Sequence, residues 1–233
     1  TGNGEDIVNG VYIIREGQEI NTFYMSKSAG VDPTTGEQLY WAYEKNADGS
    51  MKPGSEYVTN DATVAASCKY LQGSRIPDIY GSISSSLKFR GFDLGLLFTY
   101  SLGGKIYDSI YNALMEPSFV GQTYHRNALR TWTAPGQRTD VPRTTTTAST
   151  QITDRYLIDA SYFAVKNISL GYSLPKQLLG KVGIESLRIY LAADSPWIFT
   201  HLKGMNPQAS FTGSTSYSYT PNRTFTLGVD LKF

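Results

Sequence analysis

The chain has 233 residues and a formal net charge of +1, enough length for a core of ordinary size and no charge excess to recommend nucleic acid or an acidic surface as partner. Aromatics make up 13% of the residues, with 17 tyrosines and 22 glycines, which suits short strands, tight turns and a wetted aromatic surface and points to an all-β protein. The longest apolar run is about five residues around Leu94 to Phe98, far short of the roughly 20 a membrane helix needs, so a membrane role requires strands. The opening TGNGEDIVNG has no initiator Met, basic stretch or apolar run, as expected of a piece processed or cut from a longer protein. Cys68 has no second cysteine to pair with, and reads as a small, unreactive loop residue.

In chain order, the first strand is expected over about Ile20 to Ser28, followed by a long polar connection from Asp32 to Ile76. Ile79, Ile83, Leu87 and Phe89 then alternate with Tyr80, Ser82, Ser84, Ser86 and Lys88. The next strand places Phe92, Leu94, Leu96, Phe98 and Tyr100 against Gly91, Asp93, Gly95, Leu97 and Thr99. Closing this hairpin on Arg90-Gly91 sets Phe89 opposite Phe92, Leu87 opposite Leu94 and Lys88 opposite Asp93, which predicts an ion pair on the polar face. A second long connection runs from Gly103 to Ala160, with a threonine tract at 144–147.

From Ser161 to Leu174 the apolar phase slips once, because Phe163 and Val165 occupy odd positions whereas Ile168, Leu170, Tyr172 and Leu174 occupy even ones. A β-bulge at Lys166-Asn167 keeps both sets on one side, and a regular strand would aim Lys166 at lipid. After a short link from Pro175 to Ile184, Leu187, Ile189, Leu191, Ala193, Trp197 and Phe199 oppose Arg188, Tyr190, Ala192 and Asp194. Pro196 cannot donate to a ladder and so predicts a bulge or a local break near the extracellular rim. A third long connection, Lys203 to Asn222, leads to the cleanest alternation: Phe225, Leu227, Val229, Leu231 and Phe233 against Thr224, Thr226, Gly228, Asp230 and Lys232.

Short links on one side and long polar ones on the other are the pattern of an outer-membrane barrel with its long loops outside the cell. A soluble carbohydrate-binding β-sandwich alternates too, but hides its apolar face under a second sheet. A polar face of Ser, Thr, Gly, Tyr and scattered charge, with aromatics at strand ends, favours the barrel. His125 and His201 lie in no metal-ligand spacing, and no G-x-S-x-G accompanies the serines, so no catalytic site is expected. Glu44, Asn46, Asp48 and Gly49 imitate the start of a calcium loop, but Ser55 stands where a bidentate carboxylate is needed, so a plain turn is expected and no cofactor. Trp41, Tyr43, Tyr124, Trp132, Phe211, Tyr217 and Tyr219 in the long connections suit stacking on sugar rings or binding of a peptide, and equally packing within the loops or contact with a protein lid.

Five passages, in this order, are similar to the SusC/RagA family of TonB-dependent outer-membrane transporters. They are REGQEINTFYMSKSAGVDPTTGE (15–37), FRGFDLGLLFTYSLGGKIYD (89–108), DRYLIDASYFAVKNISLGYSLPKQLL (154–179), IESLRIYLAADSPWIFTHLKGMNPQ (184–208) and the terminal RTFTLGVDLKF. The resemblance covers nearly all of 11–233, with departures at Asp194-Ser195-Pro196 and at Gly204-Met205-Asn206-Pro207-Gln208, where the family often has Gly-Tyr-Asp-Pro-Glu. It implies that residues 1–233 are the C-terminal part of a barrel of about 22 strands, about the last six of them, with plug, TonB box and earlier strands outside this chain. It also implies import of an oligosaccharide or peptide across a Gram-negative outer membrane, energised by TonB through the missing N-terminal region and capped by a SusD-like lipoprotein. Enzymatic activity is not implied, calcium on an outer loop is compatible with it, and a structural or adhesive barrel is the alternative. Phe225, Leu227, Val229, Leu231 and Phe233 resemble the terminal signal read by barrel-assembly machinery, with the C-terminus on the periplasmic side.

Overall fold

The computed structural model describes residues 4–116, 121, 123–144, 151–179, 183–201, 206–208, 213–214 and 222–233. In chain order its strands begin with β1 (Ile7–Asn9), β2 (Tyr12–Ile14), β3 (Thr22–Val31), β4 (Gln38–Ala42), β5 (Tyr57–Thr59) and β6 (Lys69–Ser74). They continue with β7 (Ile79–Phe89), β8 (Phe92–Leu102), β9 (Lys105–Tyr107), β10 (Leu157–Asp159), β11 (Tyr162–Ser173), β12 (Ser186–Thr200) and β13 (Thr224–Lys232). The chain divides into two compact units, residues 1–76, 105–158 and 210–218 in the first and 77–104, 159–209 and 219–233 in the second.

The first unit is built on a sheet of order β1-β2-β3-β4-β5, with β6 also paired to β3. The strand expected near Ile20 to Ser28 exists as β3, but it belongs to this sheet and not with the alternating strands that follow. The physical reason is burial on both faces: Phe23 and Met25 enter a core with Tyr107, Met115, Val141 and Tyr156, while Thr22 and Ser26 on the other side are also buried. A strand facing lipid and lumen has one wet face. Stretches expected as plain polar loops therefore carry their own cores, each buried Phe or Met contributing about 1.5–3 kcal/mol. A second cluster joins Ala42, Tyr43 and Cys68, beside the short helix α1 (Ala62–Ser67). Asp61 caps that helix by accepting from the backbone N–H groups of Thr63 and Val64.

The second unit is a single antiparallel sheet of order β13-β12-β11-β8-β7. The β7–β8 register pairs Phe89 with Phe92, Leu87 with Leu94 and Lys88 with Asp93, the register that the Arg90-Gly91 closure requires. Both turn residues have positive φ, 47° and 88°, as a two-residue hairpin demands. The apolar set is continuous across all five strands, Leu94 pairing with Leu170, Leu170 with Leu191 and Leu191 with Leu227. This face is exposed, with Phe225 72% and Leu227 70% accessible, so no second sheet from this unit covers it. Arg90-Gly91 and the 174–185 link, which holds α2 (Lys176–Leu179), lie at one end of the sheet, and connections 103–161 and 201–223 leave and return at the other.

Candidate functional site

The opposite face of the five-stranded sheet is polar, and its charges are organised by one arginine. Arg188 on β12 donates from Nε and Nη2 to the two carboxylate oxygens of Asp93 on β8, at 3.0 and 2.6 Å, and from Nη1 to Asp230 on β13 at 3.2 Å. To reach Asp93 it must cross β11, and it does so over Gly171, where a Cβ would fall 2.5 Å from Asp93 Oδ1 and 2.6 Å from Arg188 Nη2. The side chain also lies over the ring of Tyr190, 4.9 Å from its centroid. That ring in turn fills the space above Gly228 on β13, where a Cβ would sit 2.5 Å from the hydroxyl oxygen. Lys88 faces Asp93 across the hairpin, but the expected ion pair is replaced: Arg188 presents a planar fork that satisfies both oxygens, which a lysine ammonium cannot.

The bulge anticipated at Lys166-Asn167 is present. Val165 pairs with Phe98 and Trp197 and Asn167 pairs with Leu97 and Asp194, so Lys166 is the extra residue against β8, whereas against β12 it stands opposite two residues, Ser195 and Pro196. On β12 the matching irregularity holds Ser195, at φ 49°, and the buried Pro196, as the proline predicts. Asn167 Nδ2 donates to Asp194 Oδ1 at 2.7 Å, and Lys166 Nζ donates to Gln208 Oε1 at 2.6 Å.

The aromatics singled out in the connections take different places in the first unit. Trp41 is half-buried on β4, and the Lys27 ammonium lies 5.4 Å from its ring centroid and 5.3 Å from that of Tyr70. Tyr43 is packed into a core, its hydroxyl donating to the Lys69 carbonyl at 3.1 Å, and burial pushes its phenol up to about 12. Trp132 folds over Gly36, which has φ 74° and no room for a Cβ beneath the indole, and donates from Nε1 to the Pro33 carbonyl at 2.9 Å. Tyr124 is exposed, while Phe211, Tyr217 and Tyr219 lie outside the described residues.

In the calcium-like segment, Asp48 accepts from Ser50 N–H and Oγ, and Lys52 takes Glu44 at 2.8 Å, holding that carboxyl below its ordinary value. Among the described residues no group of three or more His, Cys, Asp and Glu side chains gathers to hold a metal. His125 Nδ1 accepts from Asn127 N–H at the start of a 3-10 turn, and its ring meets Tyr111 edge-on. The features that reading the sequence missed are Arg188 as the hub of the wall and Gln208 as the partner of Lys166. A glycine at 171, opposite Asp93 on a polar face, was the available signal for the first.

One continuous exposed apolar face, an opposite polar face and connections sorted by length define this unit as wall of a transmembrane antiparallel β-barrel. No protein-family profile matches the chain. It is 29% identical over 235 residues to TonB-dependent receptor P3 of Formosa agariphila, covering 95% of this chain and 23% of that protein. It is 23% identical over 231 residues to TonB-dependent receptor SusC of Bacteroides thetaiotaomicron, covering 95% of this chain and 22% of SusC. Among solved structures, the RagAB peptide importer in its closed-closed state superposes with a TM-score of 0.82 at 27% identity, over 97% of this chain and 24% of that one. The chain thus spans about a quarter of the length of the relatives it matches, and has the sequence pattern and the fold of SusC/RagA-type TonB-dependent transporters.

Proposed function

We propose that this chain is the C-terminal wall and outer-loop portion of an outer-membrane importer that takes up an oligosaccharide or peptide too large for porins. The observation that carries the reading is the two-faced five-stranded sheet, with lipid-type side chains out and the Arg188 network in, on a chain similar to SusC and to the RagAB importer. In this reading the long connections are extracellular and the short links and C-terminus periplasmic. Trp41, Tyr124 and Trp132, with Phe211, Tyr217 and Tyr219, contact substrate or a SusD-like lipoprotein lid. Energy comes from TonB through an N-terminal plug region, and barrel-assembly machinery recognises the terminal strand. The chain's work is binding and gating, without chemistry on the substrate.

Deleting the full-length gene should abolish growth on one oligosaccharide or peptide source, and the wild-type gene should restore it. A gene lacking its TonB-contacting segment should not. Unchanged growth on every such source would contradict import and favour a structural or adhesive barrel.

A further inference from the structure

We propose that Lys166 is an anion-binding residue of the polar wall that takes a carboxylate of the transported substrate, an inference that rests on the import reading above. Lys166 has no cross-strand partner in either register: it is the inserted residue against β8, and against β12 it stands opposite the two residues Ser195 and Pro196. The answering irregularity on β12 holds Ser195 in left-handed backbone, φ 49°, beside the buried Pro196. Each ladder beside Lys166 is interrupted by an extra residue, on β11 in one and on β12 in the other, and a non-glycine left-handed residue is strained, so the arrangement is costly unless it places something. What it places is an ammonium, on the side of the wall where Asn167 and Asp194 meet.

The ammonium ends on a neutral partner. Its bond of 2.6 Å is to the Gln208 carboxamide, which is set by a turn in which Gln208 N–H donates to Asn206 Oδ1 at 3.1 Å around the buried Pro207. Among the described residues, no ion pair involves Lys166, although the side chain is half-buried. Asp194 is already engaged by Asn167. A half-buried ammonium bonded to a neutral acceptor has two further N–H donors, and a carboxylate can accept from both. Uronic-acid sugars and acidic peptides share that group.

The test uses the purified full-length transporter in detergent and isothermal calorimetry with two matched pairs: trigalacturonate with its methyl ester, and a tetra-aspartate peptide with its tetra-asparagine counterpart. Wild type should bind one carboxylated probe about tenfold or more tighter than its neutral partner, and the pair that shows the preference identifies the source of the carboxylate. Lys166→Gln and Gln208→Glu should each erase the preference and leave affinity for the neutral probe unchanged. The second variant keeps the lysine and supplies its carboxylate internally, so it remains informative if the first misfolds. Absence of any carboxylate preference in wild type, or a preference that survives both variants, overturns the proposal. Substrate-dependent growth that persists alongside either result leaves the import reading standing and removes only the anion site.

Discussion

Gly228→Ala is the most informative single substitution in the wall, because it sets one methyl group against one ring. Tyr190 and Gly228 are directly opposed on β12 and β13, and a Cβ at 228 would lie 2.5 Å from the Tyr190 hydroxyl and closer still to the ring carbons. To regain ordinary contact the ring must retreat by about 1 Å or more, which lifts it off β13 and disturbs its stacking under Arg188. Overpacking of this kind costs about 1–3 kcal/mol, set against a gain of about 0.5–1 kcal/mol from replacing glycine in a strand. The net expectation is a loss of about 1–2 kcal/mol in wild type. In a Tyr190→Ala background the clash is gone and the same substitution should be neutral or stabilising by about 0.5 kcal/mol. Urea titration of the full-length barrel in detergent, followed by the folded and unfolded bands on unheated gels, reads both. Equal effects of Gly228→Ala in the two backgrounds would refute the packing argument.

Three further outcomes follow from particular residues. On the proposal that barrel-assembly machinery reads the terminal ring, Phe233→Ala in the full-length protein should leave most of it unassembled in the periplasm whereas Phe225→Ala is mild; equal outer-membrane levels of wild type and Phe233→Ala would show it to be an ordinary interfacial aromatic. Asp154 is pushed above its ordinary 3.8 chiefly by burial, although it accepts from Ser28 N–H. The folded state therefore holds this proton more tightly than the unfolded, so its contribution is greatest below the unfolded value and is lost as pH rises through the folded one. Asp154→Asn keeps an acceptor for Ser28 and should gain stability relative to wild type across that rise, as thermal denaturation at a series of pH values will show; a constant difference contradicts the assignment. Asp61→Ala removes the cap of α1 and should cost about 1 kcal/mol in the same assay, with no change expected if the helix is held by Ala65 packing alone.

The strands of the wall were legible because lipid and lumen impose a two-residue period that survives in sequence: the β7–β8 register and the slip at Lys166 could be read from it, and the irregularity at Pro196 from the proline's missing N–H. The first unit was not, since β3 is buried on both faces and β1, β2 and β5 in the same sheet are only three residues long, too short to show a period. Contacts that join distant stretches were equally hidden. Arg188 meets Asp93 across 95 positions and an intervening strand, so the nearest opposite charge, Lys88, was the wrong partner. Trp132 looked like a free loop aromatic, yet it closes the Asp32–Gly36 turn 99 positions away, a pairing only the positive-φ glycine hints at.

The central claim is that the even and odd positions of these strands face different solvents, and spin labels test it residue by residue. In full-length protein reconstituted in liposomes, with Cys68→Ser to remove the native thiol, single cysteines at 187, 189, 191, 225, 227 and 229 should give labels relaxed strongly by oxygen, which partitions into lipid. Labels at 190, 192, 224, 226 and 228 should respond instead to a water-soluble nickel complex. Alternation in that phase through β12 and β13 is the predicted result, and equal nickel accessibility at both sets, or the opposite phase, would contradict the membrane wall.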